Sequence, residues 1–336
     1  MRQEPPKKPD PLLLLARASA AKRRKRSPVA ILLTLAVLVG GLGLAVWLAM
    51  PGPDPPPLMV IAFDQVGLPQ TPVSLHALLR PQEEEEEPVE LEGFDLFFVD
   101  SRLGGPGADR AGELLQEQAS TGEDGSADTT WQGDKGPQPH SFVVRFRGDK
   151  RHPGSYDVGR VFTWPAKTNL LIVEARYGLM SAGGRAFRKQ NIFALAPHPG
   201  AAAALKQVQA RKYQIVYLAT APGRPADYRK LRGWLQRRLP GAESLFPEGP
   251  ALGRADYSEK TSHADGQRGV LRELQRRFRG KLVGLAGRPE DAVVFRDAGL
   301  TTLLLGNGKK PIANVRQVKS WDKVPAQLPK PRMQDE

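Results

Sequence analysis

Residues 29–50, VAILLTLAVLVGGLGLAVWLAM, carry no charged side chain, and Thr34 and the Trp47 indole are their only polar groups. A helix rising about 1.5 Å per residue needs roughly 20 apolar residues to cross a hydrocarbon core of ~30 Å, and this run is long enough. Gly40, Gly41 and Gly43 would weaken a helix in water. A bilayer tolerates them, because it offers the backbone no competing hydrogen-bond partner. The run predicts a transmembrane helix over 29–50.

Its flanks predict an orientation. Residues 1–27 hold nine basic side chains against the two acids Glu4 and Asp10, whereas PGPDPPP at 51–57 holds one acid and no base. Lysine and arginine stay on the cytoplasmic side, so the N-terminus is expected inside and the bulk of the chain outside. The run exceeds the roughly 7–15 residues of a cleaved signal's core, and no small-x-small site follows it, which favours an uncleaved signal anchor. The KRRKR cluster at 22–26 has the composition of a nucleic-acid or nuclear-import patch. Its place beside the apolar run makes membrane topology the simpler cause.

Of the formal charge of +13, +7 lies in residues 1–27, which leaves +6 for the remainder, too mild an excess to imply nucleic acid. The chain has no cysteine, which excludes disulfides, thiolate metal sites and a cysteine nucleophile. Beyond a basic cytoplasmic tail (1–28), the span (29–50) and a stiff Pro-rich linker (51–57), enough chain remains for two ordinary domains.

From 58 to 166 the pattern is short apolar or alternating runs, at 58–63, 73–79, 94–100, 141–147 and 158–164. In the fourth, Phe142, Val144 and Phe146 point one way while Val143, Arg145 and Arg147 point the other. The absence of any long 3.6-residue period predicts an all-β sandwich. The stretch Asp64-Gln65-Val66-Gly67-Leu68-Pro69, followed by Val73-Ser74-Leu75, resembles the D-x-x-G-x-P…V-x-L opening of bacterial immunoglobulin-like and prealbumin-like modules. The resemblance implies an immunoglobulin-like fold and carries no activity. The glutamate run 83–87 reads as a solvated insertion rather than a calcium site.

Near Asn169 the character changes. NLLIVEA (169–175) and YQIVYLA (213–219) are continuous apolar runs, as expected of strands covered on both faces. KLVGLAG (281–287) and TTLLLG (301–306) predict two further strands, with helices over 201–212, 226–238, 267–278 and 289–298. Strands alternating with helices predict a Rossmann-like parallel α/β sheet over 167–310, followed by a C-terminal extension at 311–336.

Within this half, GLAGRPEDAVVFRDAGL (284–300) resembles the last motif of the haloacid dehalogenase-like (HAD) phosphatases, in the lipin-type phosphatidate phosphatase branch, G-x-G-x-R-x-x-D-x-x-x-[YF]-R-x-A-G. The resemblance puts Asp291 on the magnesium-binding acid. Tyr217-Leu218-Ala219-Thr220-Ala221-Pro222 resembles the family's Y-L-T-A-R-P segment, with Thr220 on the phosphate-holding hydroxyl. Arg268 falls near the family's lysine, with Lys260 a less regular alternative. The family's first strand ends D-x-D-x-T, in which one aspartate attacks phosphorus and the next acts as general acid. The matching strand here ends Val173-Glu174-Ala175-Arg176, so Glu174 stands at the nucleophile and Arg176 at the general acid.

These replacements oppose the family's chemistry. The extra methylene of glutamate displaces the oxygen, and errors of about 1 Å can cost ~10²-fold. Arginine, with a pKa above about 12, does not serve as a general acid near neutrality, and its cation opposes metal binding beside it. The histidines, His76, His140, His152, His198 and His263, show no metal-ligand spacing and read as surface or loop residues. No G-x-S-x-G elbow or P-loop is present. Ser181-Ala182-Gly183-Gly184-Arg185 reads as a crossover loop before an anion-binding one.

The sequence therefore predicts a single-pass, multi-domain membrane protein with a cytoplasmic N-terminus. Its extracytoplasmic part, an immunoglobulin-like sandwich and a HAD-like domain, is expected to be a pseudoenzyme without a cofactor. It would act in binding or scaffolding, on an unknown protein or a phosphorylated ligand. The alternative is a magnesium-dependent phosphatase acting on a lipid-linked or small phosphomonoester, with Asp291 holding the metal.

Overall fold

The computed structural model describes residues 56–82, 89–100, 116–132, 139–181, 195–220, 225–237, 244–253, 262–306 and 311–331. Among these, the first half forms strands β1 (Leu58–Ala62), β2 (Gln65–Gly67), β3 (Pro72–Pro81), β4 (Asp95–Asp100), β5 (Gln116–Ser120), β6 (Ser126–Gln132), β7 (His140–Phe146) and β8 (Ser155–Thr163). A three-stranded antiparallel sheet runs β1-β3-β6. A five-stranded sheet runs β2-β8-β7-β4-β5, antiparallel except for the β2–β8 pair. The strands curl into a half-barrel around Val60, Leu75, Leu96, Phe98, Phe142 and Val144. The two-residue period of β7 sends Phe142, Val144 and Phe146 into that core.

The second half contains β9 (Asn169–Glu174), α1 (Ala175–Leu179), α2 (Ala201–Ala210), β10 (Tyr213–Leu218), α3 (Pro225–Leu235), β11 (Ala251–Leu252), α4 (His263–Arg277), β12 (Leu282–Ala286), α5 (Pro289–Asp297), β13 (Thr301–Leu305) and β14 (Val315–Val318). A 3₁₀ turn (Trp321–Lys323) and α6 (Val324–Gln327) follow. The strands form a six-stranded sheet in the order β11-β10-β9-β12-β13-β14, and every pairing is parallel. All six residues of the central β9 are buried, which accounts for its unbroken apolar run.

The halves share their apolar interior. Val60 and Ala62 of β1 face the half-barrel core, whereas Ile61, with Phe63 and Leu78, joins the cluster containing Leu171, Val173 and Trp234. Val66, Phe162 and Trp164 pack with Leu170, Leu274 and Phe278. A polar seam crosses the same boundary. Arg232 on α3 donates to both carboxylate oxygens of Asp157 at 2.6 Å and to the Ala62 carbonyl, while the Ala62 N–H donates to Asp157 at 3.0 Å. Asp64 accepts from the Arg160 guanidinium (3.1 Å) and the Ala251 N–H (3.0 Å), and its own N–H donates to the Tyr228 hydroxyl (2.9 Å).

These findings correct the expected fold class. Residues Pro55–Glu336 form one compact unit, not a string of domains with a separate immunoglobulin-like sandwich. The physical reason is that β1 and its neighbours carry apolar side chains on both faces, so the half-barrel is completed by the α/β half. The expectation of a single-pass, signal-anchored membrane protein with a cytoplasmic N-terminus is corrected as well. Among the described residues no helix is long and apolar enough to cross a membrane. The longest, α4, has 15 residues and carries charges such as Arg268, Arg272 and Glu273, and its length of about 22 Å falls short of a hydrocarbon core. The tail 1–28 and the run 29–50 lie outside the described residues, as do 51–55, 83–88, Lys260 and the 182–185 part of the glycine-rich loop.

The seam has a measurable consequence. Asp157 and Arg232 are 6 % and 4 % exposed, so Arg232→Met strands a buried carboxylate and should cost about 3–5 kcal/mol in urea unfolding. The double change Asp157→Leu with Arg232→Met removes both charges and should cost less than the single one. A single-variant loss under about 1 kcal/mol would mean that Arg229, 3.6 Å from Asp157, takes over the charge.

Candidate functional site at the edge of the parallel sheet

The chain runs outward from β9 through β10 to β11, then crosses back to β12 on the other side of β9. Ligands of open parallel sheets bind at such a reversal, beyond the carboxyl ends of the strands. Glu174 is the last residue of β9, and Asp291 lies in the first turn of the helix after β12; each is 1 % exposed. The two loops touch here. A Cβ on Gly287 would lie 2.2 Å from the Tyr177 carbonyl, so only glycine permits the approach.

Glu174 caps α1. Its side chain accepts from the main-chain N–H groups of Arg176 (3.1 Å), Tyr177 (2.7 Å) and Gly178 (3.1 Å), the otherwise orphaned donors of a buried helix start. Asp291 accepts from His263 Nε2 (3.1 Å), Gln267 Nε2 (3.0 Å) and Arg288, whose Nε and Nη2 lie at 2.8 and 3.1 Å. His263 Nδ1 contacts the Thr220 carbonyl, and the Arg288 guanidinium lies 3.8 Å over the Tyr177 ring. Thr220 Oγ1 and Gln267 Oε1 are buried and have no hydrogen-bond partner among the described residues.

The two carboxyls titrate apart. Burial, and then the charge of Asp291, push the Glu174 carboxyl up to about 7, against the three N–H groups that favour its ionised form. Burial alone would raise Asp291 too, but hydrogen bonds from His263 and Arg288 hold it below the usual carboxylate range.

The structure thus brings Glu174, Thr220 and Asp291 to one edge, with Arg176 buried in the first turn after Glu174. It does not bring Arg268 there. That side chain is half-exposed and paired with Asp265 at 2.8 Å, and Gln267, one residue earlier, faces Asp291 instead. Three groups of the site escape the sequence reading: His263, Gln267 and Arg288. Ser262 and Asp265 form the S-x-x-D signature of a helix start, with the serine hydroxyl accepting from the Asp265 N–H at 3.2 Å. Reading it would have begun α4 at His263 and placed His263 and Gln267 on one face. Arg288 stands in the quoted motif three residues before Asp291.

A magnesium ion, which the HAD resemblance implies, does not fit these residues. Both Glu174 oxygens are engaged by main-chain donors, Asp291 is engaged by three side chains, and the Arg288 guanidinium lies against Asp291. Among the described residues no cluster of three metal-ligating side chains occurs.

No protein-family profile matches the chain, and no curated protein matches it. Solved structures give remote likenesses. A conjugative transposon lipoprotein from Bacteroides eggerthii is 11 % identical, covering 31 % of this chain and 96 % of that one, with a TM-score of 0.21. An Escherichia coli alpha-2-macroglobulin is 13 % identical over 34 % of this chain and 13 % of its own length, at 0.22. A protein named PhoD is 10 % identical over 73 % and 70 %, at 0.27. Likeness at these scores bears on neither fold nor activity. Nothing among the described residues or in these likenesses points to nucleic acid.

The raised Glu174 carboxyl predicts a pH dependence. Its folded form prefers the proton, so the stabilisation it brings is complete below its ordinary value of 4.5 and is lost as pH rises through about 7. Relative to Glu174→Gln, the wild type should lose on the order of 3 kcal/mol between about pH 5 and about pH 8, read from urea midpoints. A difference that does not change with pH would show that Glu174 ionises normally.

Proposed function

We propose that this protein is a non-catalytic binding or scaffolding module whose sheet-edge site keeps the position of a phosphoryl-transfer centre without its chemistry. One observation carries the reading: both carboxylates serve the fold. Glu174 caps a buried helix through three main-chain N–H groups, and Asp291 is locked by His263, Gln267 and Arg288. A nucleophile needs an oxygen lone pair aimed at its target; Oε2 of Glu174 already accepts two main-chain bonds and Oε1 one, so the cap fixes the carboxylate's orientation and leaves Oε1 alone with capacity to spare. Arg176 at the neighbouring position donates no proton near neutrality. Thr220 Oγ1 and Gln267 Oε1, buried without partners among the described residues, support a role in binding a polar group. A phosphorylated ligand suits the guanidinium of Arg288.

One observation favours the catalytic alternative. Two carboxyls whose environments separate their titration are the usual arrangement of an acid and a base, and Glu174 and Asp291 are so separated.

A phosphatase assay separates the two readings. The full chain, incubated with p-nitrophenyl phosphate, should release no phosphate in a magnesium-dependent way, and magnesium should not raise its melting temperature. The double change Glu174→Asp with Arg176→Asp supplies three acids at the edge and should create a magnesium-dependent rise. Magnesium-dependent turnover by the wild type, abolished by Asp291→Asn, would establish the phosphatase.

A further inference from the structure

A second concavity, of about 500 Å³, lies between the half-barrel and α4, and neither Glu174, Thr220 nor Asp291 lines it. This volume is in the range of small-molecule sites, which favour such junctions. Phe63 and Val66 from the half-barrel meet Leu252, Val270 and Leu274 from the α/β half across an apolar floor. The charges around that floor cancel. Asp64 is held by Arg160 at 3.1 Å, Asp128 by His76 at 2.8 Å and Asp265 by Arg268 at 2.8 Å. Glu273 takes both Arg276 (2.8 Å) and Arg277 (2.6 Å), and Arg277 also donates to the Val66 carbonyl. An ion entering the cavity would give up its hydration to a wall whose charges are already satisfied, a costly exchange that a neutral molecule avoids.

An orphaned polar atom adds an independent observation. His76 lines the cavity and turns Nδ1 to the Asp128 carboxylate, which only accepts. Nδ1 therefore carries a proton, and in the neutral ring Nε2 is an acceptor. That Nε2 is buried and has no hydrogen-bond partner among the described residues. The Asp128 bond and the Phe63 ring, with centroids 5.1 Å apart, hold the imidazole in this orientation. Buried acceptors are rarely left unpaired, and a donor supplied from outside the chain relieves the cost.

We propose that this cavity binds a neutral, compact apolar molecule carrying one hydroxyl group, of the size and kind of an aromatic alcohol. The hydroxyl donates to Nε2 of His76, and the apolar body rests on Val66, Val270 and Leu274. Because both halves of the molecule wall the cavity, its occupant bridges them and stabilises the folded unit. The site stands apart from the sheet-edge carboxylates and does not depend on their role.

The experiment titrates the full chain with 2-phenylethanol and with three molecules of similar shape, ethylbenzene, 2-phenylethylamine and phenylacetate, followed by calorimetry and by melting temperature. The alcohol should bind and raise the melting temperature. Ethylbenzene, which lacks the hydrogen bond, should bind roughly two- to tenfold more weakly, and the two ions at least roughly tenfold more weakly. His76→Phe keeps a ring and removes Nε2, so the alcohol should fall to the level of ethylbenzene while ethylbenzene itself is unchanged. Val270→Trp fills the cavity and should abolish the binding of both. Absence of alcohol binding at millimolar concentration would overturn the proposal. So would an ion or ethylbenzene that binds as tightly as the alcohol, a His76→Phe variant that still prefers the alcohol, or undiminished binding by a folded Val270→Trp variant. Should either variant lose its fold, the order of the four molecules on the wild type decides.

Discussion

The ion pair between Asp157 and Arg232 holds the molecule in register. Charges in an apolar interior are costly, and such a pair is favourable only where its remaining hydrogen-bonding capacity is met. Here it is met by the main chain of Ala62, whose N–H reaches the carboxylate and whose carbonyl takes the guanidinium. One residue of β1 is thereby clamped to β8 and α3 together. Asp64, two residues on, repeats the device with Arg160, Tyr228 and Ala251. The half-barrel cannot slide along the α/β half without breaking both, so the apolar contacts of Ile61, Phe63 and Trp164 have a single arrangement.

Helix α4 separates the two candidate sites. Its four-residue spacing puts His263, Gln267 and Leu271 on one face, where the first two hold Asp291. Asp265, Gly269 and Glu273 follow the same spacing on another face and line the cavity. The mean hydropathy of the helix is low because both faces carry polar work and only Leu271, Leu274 and Gln267 are fully buried. At the sheet edge the carboxylates serve structure first. A five-residue helix buried at its start needs a cap, and Glu174 supplies one with both oxygens.

Much of the α/β half is legible in the sequence because its strands are covered on both faces. NLLIVE, YQIVYL, LVGLA and TTLLL are unbroken apolar runs, and helices fall between them. The same rule applied to LMVIA at β1 would have revealed that this strand, too, is buried on both sides. Its place among alternating strands hid the signal, and with it the shared core. Glu174, Thr220 and Asp291 are legible as a group because each lies at or shortly after the carboxyl end of a strand of one sheet. His263 and Gln267 are not, because they meet Asp291 across more than 20 residues of intervening chain, a proximity that no local pattern encodes. Arg268 pairs with Asp265 while Gln267, one residue earlier, faces Asp291, because in a helix one residue is a turn of about 100°.

The span of the seam along the chain bears on how the protein is made. Ala62 waits for Arg232, 170 residues later, and Asp64 for Ala251, 187 residues later. At about 5–20 residues per second a ribosome needs on the order of 10–35 s to supply those partners. Throughout that interval the outer face of β1, with Ile61 and Phe63, is an uncovered apolar strand on a nascent chain. The half-barrel can assemble its inner core early, but its outer face stays exposed until α3 and β11 emerge. Exposed apolar surface of this kind makes nascent chains prone to aggregate, so its exposure sets how crowded the synthesis of this protein can be before chains meet one another first.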